Sequence, residues 1–440
     1  MTYTESSTCE LAVIGTGMAG IAAAVFANQH GISTAQAGVS GGILYASGYL
    51  DLMGVHPMTV KKTWDDPWQA IAALVKDLPD HPYARLSTDD IRNAFDQFLE
   101  TLDAAGLPYR RDPDRNTRVI TPVGTVKPTY AVPASMWAGA AGLAEKTPCL
   151  LIDFWGLKGF SAIQIAETLR PRWPNLTCAR IPFPSVTLTV DLFTEQMARS
   201  LEVPANRKTL ADEIRPHLKG AALVGMPAIL GMHRNAEIMA DIENQLGCNV
   251  FEIPTMPPSM AGLRMKEKIE AYLTRQGVSL FSQKRITRVQ READGRFTLT
   301  ISDPSAKDSG HTLTADGIIL AAGRFLGMGL HADRKGIRET LFDLPVHQPR
   351  NRAHWHQEDF FDPAGHQINA AGLEIDDHFR PADRSAKPVY DNLFAAGSIL
   401  ANQDWIRMKC GAGLAIATAW GAVRGFMKAM KKSELGERQP

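Results

Sequence analysis

The run Glu10-Leu11-Ala12-Val13-Ile14-Gly15-Thr16-Gly17-Met18-Ala19-Gly20-Ile21-Ala22-Ala23-Ala24 decides the fold of this chain. It reads as an apolar strand that breaks into G-x-G-x-x-G and resumes as a helix of small residues. Gly15 permits a tight turn, Gly17 lets a phosphate approach the backbone, and Gly20 lets the helix close on the strand. The helix N-terminus adds unpaired N–H groups and the positive end of a dipole. Gly15, Gly17, Met18, Ala19 and Gly20 are therefore expected to cradle the phosphate of a cofactor near the start of the chain.

The second strand narrows the choice of cofactor. The segment Ile32-Ser33-Thr34-Ala35-Gln36-Ala37-Gly38 has no Asp or Glu where a dinucleotide fold usually holds the adenosine ribose. That weakens NAD, weakens FAD less, and leaves room for FMN, which has no adenosine. Two further segments, Ala-Asp-Gly-Ile-Ile-Leu-Ala-Ala-Gly at 315–323 and Asp-Asn-Leu-Phe-Ala-Ala-Gly-Ser at 391–398, are apolar strands ending in small residues. They look like the strand-to-glycine segments of flavoproteins and place Ala322, Gly323, Gly397 and Ser398 at the cofactor. After them Cys410-Gly411-Ala412-Gly413 opens a helix, so that Gly411 and Gly413 can face the anionic end of a reduced isoalloxazine ring.

Between the first helix and the rest, residues 38–52 hold Ser40, Gly41, Gly42, Ser47 and Gly48 among small and hydroxylated neighbours. Such residues let backbone pass close to a flat ring and supply hydrogen bonds to it. A surface loop is the alternative, and the flanking Ile43, Leu44, Leu50 and Leu52 argue against it. The fold class expected is α/β, a two-dinucleotide-binding-type Rossmann flavoprotein with an inserted cap domain.

Periodicity organises the chain. Residues 1–110 read as the first part of a flavin-binding Rossmann domain, 111–253 as a cap or substrate domain, and 254–330 as the return to the flavin domain with a β-rich insertion. Residues 331–384 read as a cap-associated segment and 385–440 as the C-terminal flavin-binding part. Within the first part, Ile91, Phe95, Phe98, Leu99 and Leu102 share one face after Ser87 and Thr88, which predicts an amphipathic helix over 88–105 ending at Gly106.

Composition excludes other classes. At 440 residues and 45% apolar content the chain can bury a large core. Lys plus Arg equals Asp plus Glu at 47 each, so no global basic field recruits nucleic acid. The polar start, Met1 to Glu10, lacks a signal-peptide layout, and no apolar run approaches the roughly 18 residues of a spanning helix. The cysteines at 9, 149, 178, 248 and 410 include no C-x-x-C pair, so electrons leaving this chain are expected to pass to a centre on another one. Cys410, at a helix N-terminus, reads either as an acidified thiol or as a small residue packed near the ring.

The ordered set of motifs is similar to one family. The N-terminal G-x-G-x-x-G, Ala46-Ser47-Gly48-Tyr49-Leu50-Asp51-Leu52, His81-Pro82-Tyr83 and Thr121-Pro122-Val123-Gly124-Thr125 open it. Pro254-Thr255-Met256-Pro257-Pro258-Ser259 with Gly262-Leu263-Arg264, Gly336-Ile337-Arg338-Glu339, Gly397-Ser398 and Cys410-Gly411-Ala412-Gly413 complete it. Together they resemble the B subunit of anaerobic glycerol-3-phosphate dehydrogenase across nearly the whole chain. The resemblance implies an FMN-containing oxidoreductase that pairs with the catalytic A subunit of the same dehydrogenase and oxidises sn-glycerol 3-phosphate to dihydroxyacetone phosphate. It also implies an iron–sulfur membrane-anchor subunit that passes electrons to quinone, with fumarate or nitrate as final acceptor. The chain would then be cytoplasmic, held at the inner face of the membrane through its partners. A free-standing FAD oxidoreductase of another substrate and a flavin-less scaffold protein are the competing readings.

Substrate recognition is less legible. A phosphomonoester needs cations, which makes Arg264 and Arg338 the substrate-phosphate candidates, with Arg334 and Lys335 beside the latter. His233 and His354 are the candidate proton acceptors. Each has a plainer reading: Arg264 as a helix brace, the 334–338 cations as a solvated turn. The set His354, His356, Glu358, Asp359 and His366 matches no ligand spacing for a metal, and none is expected.

Overall fold

The computed structural model describes residues 5–39, 42–184, 191–303 and 310–436. The chain divides into two compact units, one of Met1–Ile43, Asp51–Ala105 and Ile269–Pro440, the other of Leu44–Leu50 and Gly106–Lys268.

The first unit is built on a seven-stranded sheet in the order Ser279–Ser282, Thr34–Gly38, Glu5–Ile14, Gly310–Leu320, Phe297–Ser302, Arg285–Arg291. The seventh strand, Leu393–Ala395, also pairs with Gly310–Leu320. The Gly310–Leu320 strand is long enough to serve two neighbours on one side. Its start pairs antiparallel with Phe297–Ser302 and its end, Ile318 to Leu320, parallel with Leu393–Ala395. Its other side runs parallel along Glu5–Ile14. The C-terminal ends of three parallel strands thus finish side by side, the arrangement in which α/β sheets place their ligands.

Small residues make the close layering possible. The helix Met18–Gln29 buries every residue from Ala19 to Ala27 and packs on the C-terminal helix Gly411–Gly436. Phe26 meets Trp420 edge-on at 5.2 Å and Phe98 at 6.4 Å, contacts worth about 0.5–1.5 kcal/mol each beyond their buried area. Phe98 belongs to the expected amphipathic helix, which runs Thr88–Ala104 and is capped by the Ser87 hydroxyl accepting from the Asp90 amide at 3.1 Å.

The second unit has a four-stranded parallel sheet ordered Asn249–Ile253, Leu223–Pro227, Cys149–Phe154, Leu176–Ile181. Cys149–Phe154 and Leu223–Pro227 are buried along their whole length, as expected of a sheet covered on both faces. Residues 254–268 fall in this unit and not with the flavin domain: the Ser259 amide donates to Leu44 O, and Arg264 is locked to the strand residue Glu252. Residues 331–384 depart from the sequence reading in the opposite direction. They belong to the first unit, because Leu373 pairs with Leu400 through backbone bonds, and Trp355, Leu344 and Leu373 join its core.

Glu252 and Arg264 form the polar centre of the second unit. Both are almost fully buried; the guanidinium reaches the two carboxylate oxygens at 2.6 and 2.8 Å and donates its Nε–H to Gly231 O at 2.7 Å. The carboxylate also accepts from Leu230 N at 2.7 Å and Ser135 Oγ at 2.8 Å. Burial alone pushes the Glu252 carboxyl up, but the Arg264 charge and these hydrogen bonds outweigh it and hold it below the usual carboxylate range. Removing one partner of such a pair leaves a bare buried charge, so Arg264→Leu should destabilise the chain by about 3–5 kcal/mol. The pair's contribution is fully present above the ordinary carboxyl value of 4.5 and is lost as the pH falls through the depressed folded value. Denaturant melts of Arg264→Leu between pH 7 and pH 3 should therefore show a shallower acid loss than the parent, and Glu252→Gln/Arg264→Leu should cost less than the sum of its singles.

Candidate flavin site

The sequence around Gly15 forms a turn for a steric reason. Gly15 sits at φ +126°, and a Cβ there would lie 2.2 Å from Ala321 O. The Ala321–Ala322 peptide plane, at the end of the adjacent strand, occupies the volume a side chain would need. Gly20 has the complementary role: its Cβ would meet Gly15 O at 2.0 Å, so the helix Met18–Gln29 rests directly on the turn. At Gly17 a Cβ would meet nothing within 4 Å. This glycine faces open space at the N-cap of the helix, where no side chain caps the free amides and no acid stands in the first turn. Beside it, the Thr16 hydroxyl is buried and has no hydrogen-bond partner. An open face, uncapped amides and an orphaned hydroxyl fit the phosphate of a bound nucleotide.

The neighbouring strand ends converge on the same rim. The Ala321 amide donates to Ile14 O at 2.8 Å, and Ala396 N to Leu320 O at 3.1 Å. Gly397, at φ +80°, abuts Ala19, where a Cβ would come within 2.5 Å of the alanine methyl, and its amide donates to the Thr418 hydroxyl at 2.8 Å. A Cβ on Gly323 would lie 3.6 Å from Ser398 Oγ. Gly15 to Gly20, Ala322, Gly323, Gly397 and Ser398 are thus assembled in one place. Gly411 and Gly413 open the helix that carries Thr418, but packing dictates their identity: a Cβ on Gly411 would enter the Trp405 ring and one on Gly413 would come within 2.2 Å of the Tyr83 hydroxyl. The Cys410 thiol beside them is fully buried and pushed up by that burial, which favours the packed reading over the acidified one.

The other expected residues have surroundings of their own. Ser40 and Gly41 are outside the described residues, and Gly42 begins a short 3-10 turn with open space at its Cα. Ser47 and Gly48 belong to the second unit, where Gly48 O accepts from Tyr109 Oη at 2.7 Å and a Cβ on Gly48 would meet Ala261 at 2.8 Å. Arg264 is committed to Glu252, as described above. His233 is exposed in the second unit, with Nδ1 4.0 Å from Glu267. His354 is exposed in a 3-10 turn, and Arg338 is exposed on the strand Ile337–Glu339 opposite His331. His356 and His366 face each other at 5.3 Å, yet among the described residues no group of His, Cys, Asp or Glu is arranged to hold a metal ion.

One residue escaped the sequence reading. Arg324, directly after Gly323, buries its guanidinium against backbone carbonyls only: Asn369 O, Leu400 O at 3.3 Å and Gln403 O at 3.0 Å. Its Nε is buried without a partner. Burial brings this cation down to about 10, and Asp404 opposes the shift. The signal in the sequence is a lone charge following Leu-Ala-Ala-Gly, where a strand end leaves no room for solvent. Arg324 ties the 369 and 400–403 segments to the strand end that bears Ala322 and Gly323.

A mixed sheet whose parallel strands carry a glycine turn at the first strand, an uncapped helix N-terminus and two more glycine-bearing strand ends define a flavin-dependent oxidoreductase. Residues 10–414 match the family model described as "FAD binding domain". Over 439 residues the chain is 29% identical to the B subunit of anaerobic glycerol-3-phosphate dehydrogenase from Vibrio vulnificus (strain YJ016), covering 97% of this chain and 98% of that one. It is 31% identical over 427 residues to a relative from Halobacterium salinarum (strain ATCC 29341 / DSM 671 / R1) named as the probable B subunit of the same dehydrogenase, covering 94% and 96%. Among solved structures it is similar to 3-ketosteroid delta1-dehydrogenase from Sterolibacterium denitrificans, at 13% identity and a TM-score of 0.43 over 96% of this chain and 100% of that one. The chain belongs to the FAD binding domain family and, within it, to the family of anaerobic glycerol-3-phosphate dehydrogenase B subunits.

The cradle separates two kinds of glycine. Gly17→Val should fold with an unchanged melting temperature and purify without the visible flavin absorbance, because its side chain enters only the open face. Gly15→Val should melt well below the parent with or without added flavin, because its Cβ collides with the Ala321 carbonyl. A Gly17→Val protein that keeps full flavin occupancy would remove the phosphate from this turn.

Proposed function

We propose that the chain is the FMN-bearing B subunit of a membrane-associated anaerobic glycerol-3-phosphate dehydrogenase, working with the catalytic A subunit of that enzyme and an iron–sulfur anchor protein. The reaction is oxidation of sn-glycerol 3-phosphate to dihydroxyacetone phosphate, with electrons passed to quinone and finally to fumarate or nitrate. The observation that carries this reading is full-length similarity, at 29–31% identity, to relatives of that name, on a chain whose glycine turn fits a flavin phosphate.

FMN is favoured over FAD by the end of the second strand. Gly38 occupies the point where an acid would hold an adenosine ribose, and a Cβ there would already lie 3.0 Å from Thr16 N. The one polar side chain of that strand interior, Gln36, is buried and donates to Gly15 O at 2.8 Å, so it braces the turn. A bound flavin supplies the hydride acceptor. The residues of this chain bind its phosphate through the amides of Gly17, Met18 and Ala19 and through the Thr16 hydroxyl, and they shield that rim with Ala322, Gly323 and Gly397.

Among the described residues no helix is long and apolar enough to cross a membrane, and no His, Cys, Asp or Glu cluster is arranged for a metal. In the proposed complex electrons leave through the partner subunits, and the chain is cytoplasmic and peripheral at the inner face of the membrane. Acid extraction of the purified chain followed by mass spectrometry should release FMN. With glycerol 3-phosphate as donor, quinone reduction in lipid should require the A and anchor subunits, the chain alone giving at most dye reduction. Release of FAD together with quinone turnover by the chain alone would establish a free-standing oxidoreductase in its place.

A further inference from the structure

The hairpin of Leu330–Ala332 and Ile337–Glu339 carries Arg334 and Lys335 on its turn, neither of them in an ion pair among the described residues, while Arg338 and His331 share the field of Asp333. Asp333, the only acid of its turn, accepts from the Lys335 amide at 2.7 Å and the Gly336 amide at 3.3 Å, bonds that hold its carboxyl below the usual range. Gln348 clamps the same hairpin from the adjoining segment, with Oε1 accepting from Ile337 N and Nε2 donating to Ile337 O, both at 2.7 Å. The turn, this segment and the Ala382–Arg384 stretch line an open cavity of about 620 Å³. Small-molecule sites typically run from about 300 to 1,000 Å³.

Arg334, Lys335, Arg350 and Arg384 line this cavity, and none has an ion pair or side-chain hydrogen bond among the described residues. The acids on the wall are mostly engaged already. Glu374 holds His347 Nδ1 at 2.9 Å, and Asp383 accepts from the amides of Ser385 at 2.8 Å and Lys387 at 3.0 Å, which leaves Asp343. On the inner wall Arg352 stands over the buried Trp355 ring at 5.7 Å. Unpaired cations brought together around one cavity repel one another unless an anion joins them.

We propose that this cavity is a binding site for a phosphate-bearing anion, either a soluble phosphomonoester or the headgroup of an anionic phospholipid. A carboxylate offers two oxygens, too few for several guanidinium forks and an ammonium, whereas a phosphate group offers more acceptors and up to two charges. None of these residues belongs to the glycine turn.

The test uses the full flavin-bearing chain at low salt. Inorganic phosphate and glycerol 3-phosphate are titrated by calorimetry, and vesicles of phosphatidylglycerol with phosphatidylcholine, or of phosphatidylcholine alone, are co-sedimented with it. Arg334→Ser/Arg384→Ser should weaken the binding roughly tenfold or more, with flavin spectrum and melting temperature unchanged. Lys335→Gln/Arg350→Gln, which removes the other two cations, should do the same. Arg172→Ser/Arg275→Ser, which removes equal charge from exposed helix-end positions, should leave binding as it was. Saturable binding of the soluble phosphates without vesicle binding identifies a phosphomonoester; binding only to the anionic vesicles identifies a headgroup. Binding of neither probe, or equal loss in the Arg172/Arg275 control, would overturn the proposal.

Discussion

The contact between Gly15 and the Ala321 carbonyl is the constraint on which the flavin-binding unit depends. Two parallel strands end so close together that the volume of one methyl group at residue 15 is filled by the neighbouring backbone. Only a residue without a Cβ, free to take φ +126°, can end the first strand there. Once the chain turns at that point the helix must start at Met18, and Gly20 must be bare for the helix to lie on the turn. The amides that face the open side of Gly17 are fixed by this chain of contacts and not by any side chain. The site is therefore as rigid as the sheet beneath it.

The chain resolves its buried polar groups in different ways. In the second unit, Arg264 and Glu252 answer each other and their remaining valences meet Gly231 O, Leu230 N and Ser135 Oγ. In the first, Arg324 has no carboxylate in hydrogen-bond contact and leans on three carbonyl oxygens. Carbonyl dipoles compensate a buried charge less completely than a carboxylate does, which is why burial still brings this cation down to about 10. What Arg324 gains is geometry: one planar group joins the segments at 369, 400 and 403 to the strand end that bears Gly323. The Thr16 hydroxyl, by contrast, has no partner at all, and its place at the cradle leaves it free to serve a phosphate oxygen.

How much of this was legible follows from the range over which each signal acts. The turn at Gly15, the strands ending at Leu320 and Ala395 and the helix Thr88–Ala104 are written in runs of a few residues, and local steric and periodic rules recover them. The role of Arg264 is not local. Its partner Glu252 lies 12 residues away across a strand-to-helix connection, and no local rule joins the two. Residues 331–384 have short elements and no sustained period, so their membership in the first unit rests on long-range pairs such as Leu373 with Leu400, which sequence does not announce. Gly411 and Gly413 carry two signals at once: glycines at a helix start suggest a ligand, and packing against Trp405 and Tyr83 by itself already requires them to be bare.

The same unit holds two surfaces that favour anions, and they are constructed on opposite principles. At the Gly15–Gly17 turn the attraction comes from backbone amides and a helix end, a field of partial charges that fades within one turn of helix and demands a close, well-shaped fit. At the 334–335 turn it comes from full charges on long, exposed side chains, which act over about a Debye length and adapt to the ligand. Amides cannot move and carry no net charge, so the first surface can hold a phosphate permanently at no cost to solubility. The second surface gathers its ligand from solution and releases it as ionic strength rises. A resident cofactor and an exchanging anion call for these two constructions respectively, and the placement of glycines in one and arginines in the other follows from that division.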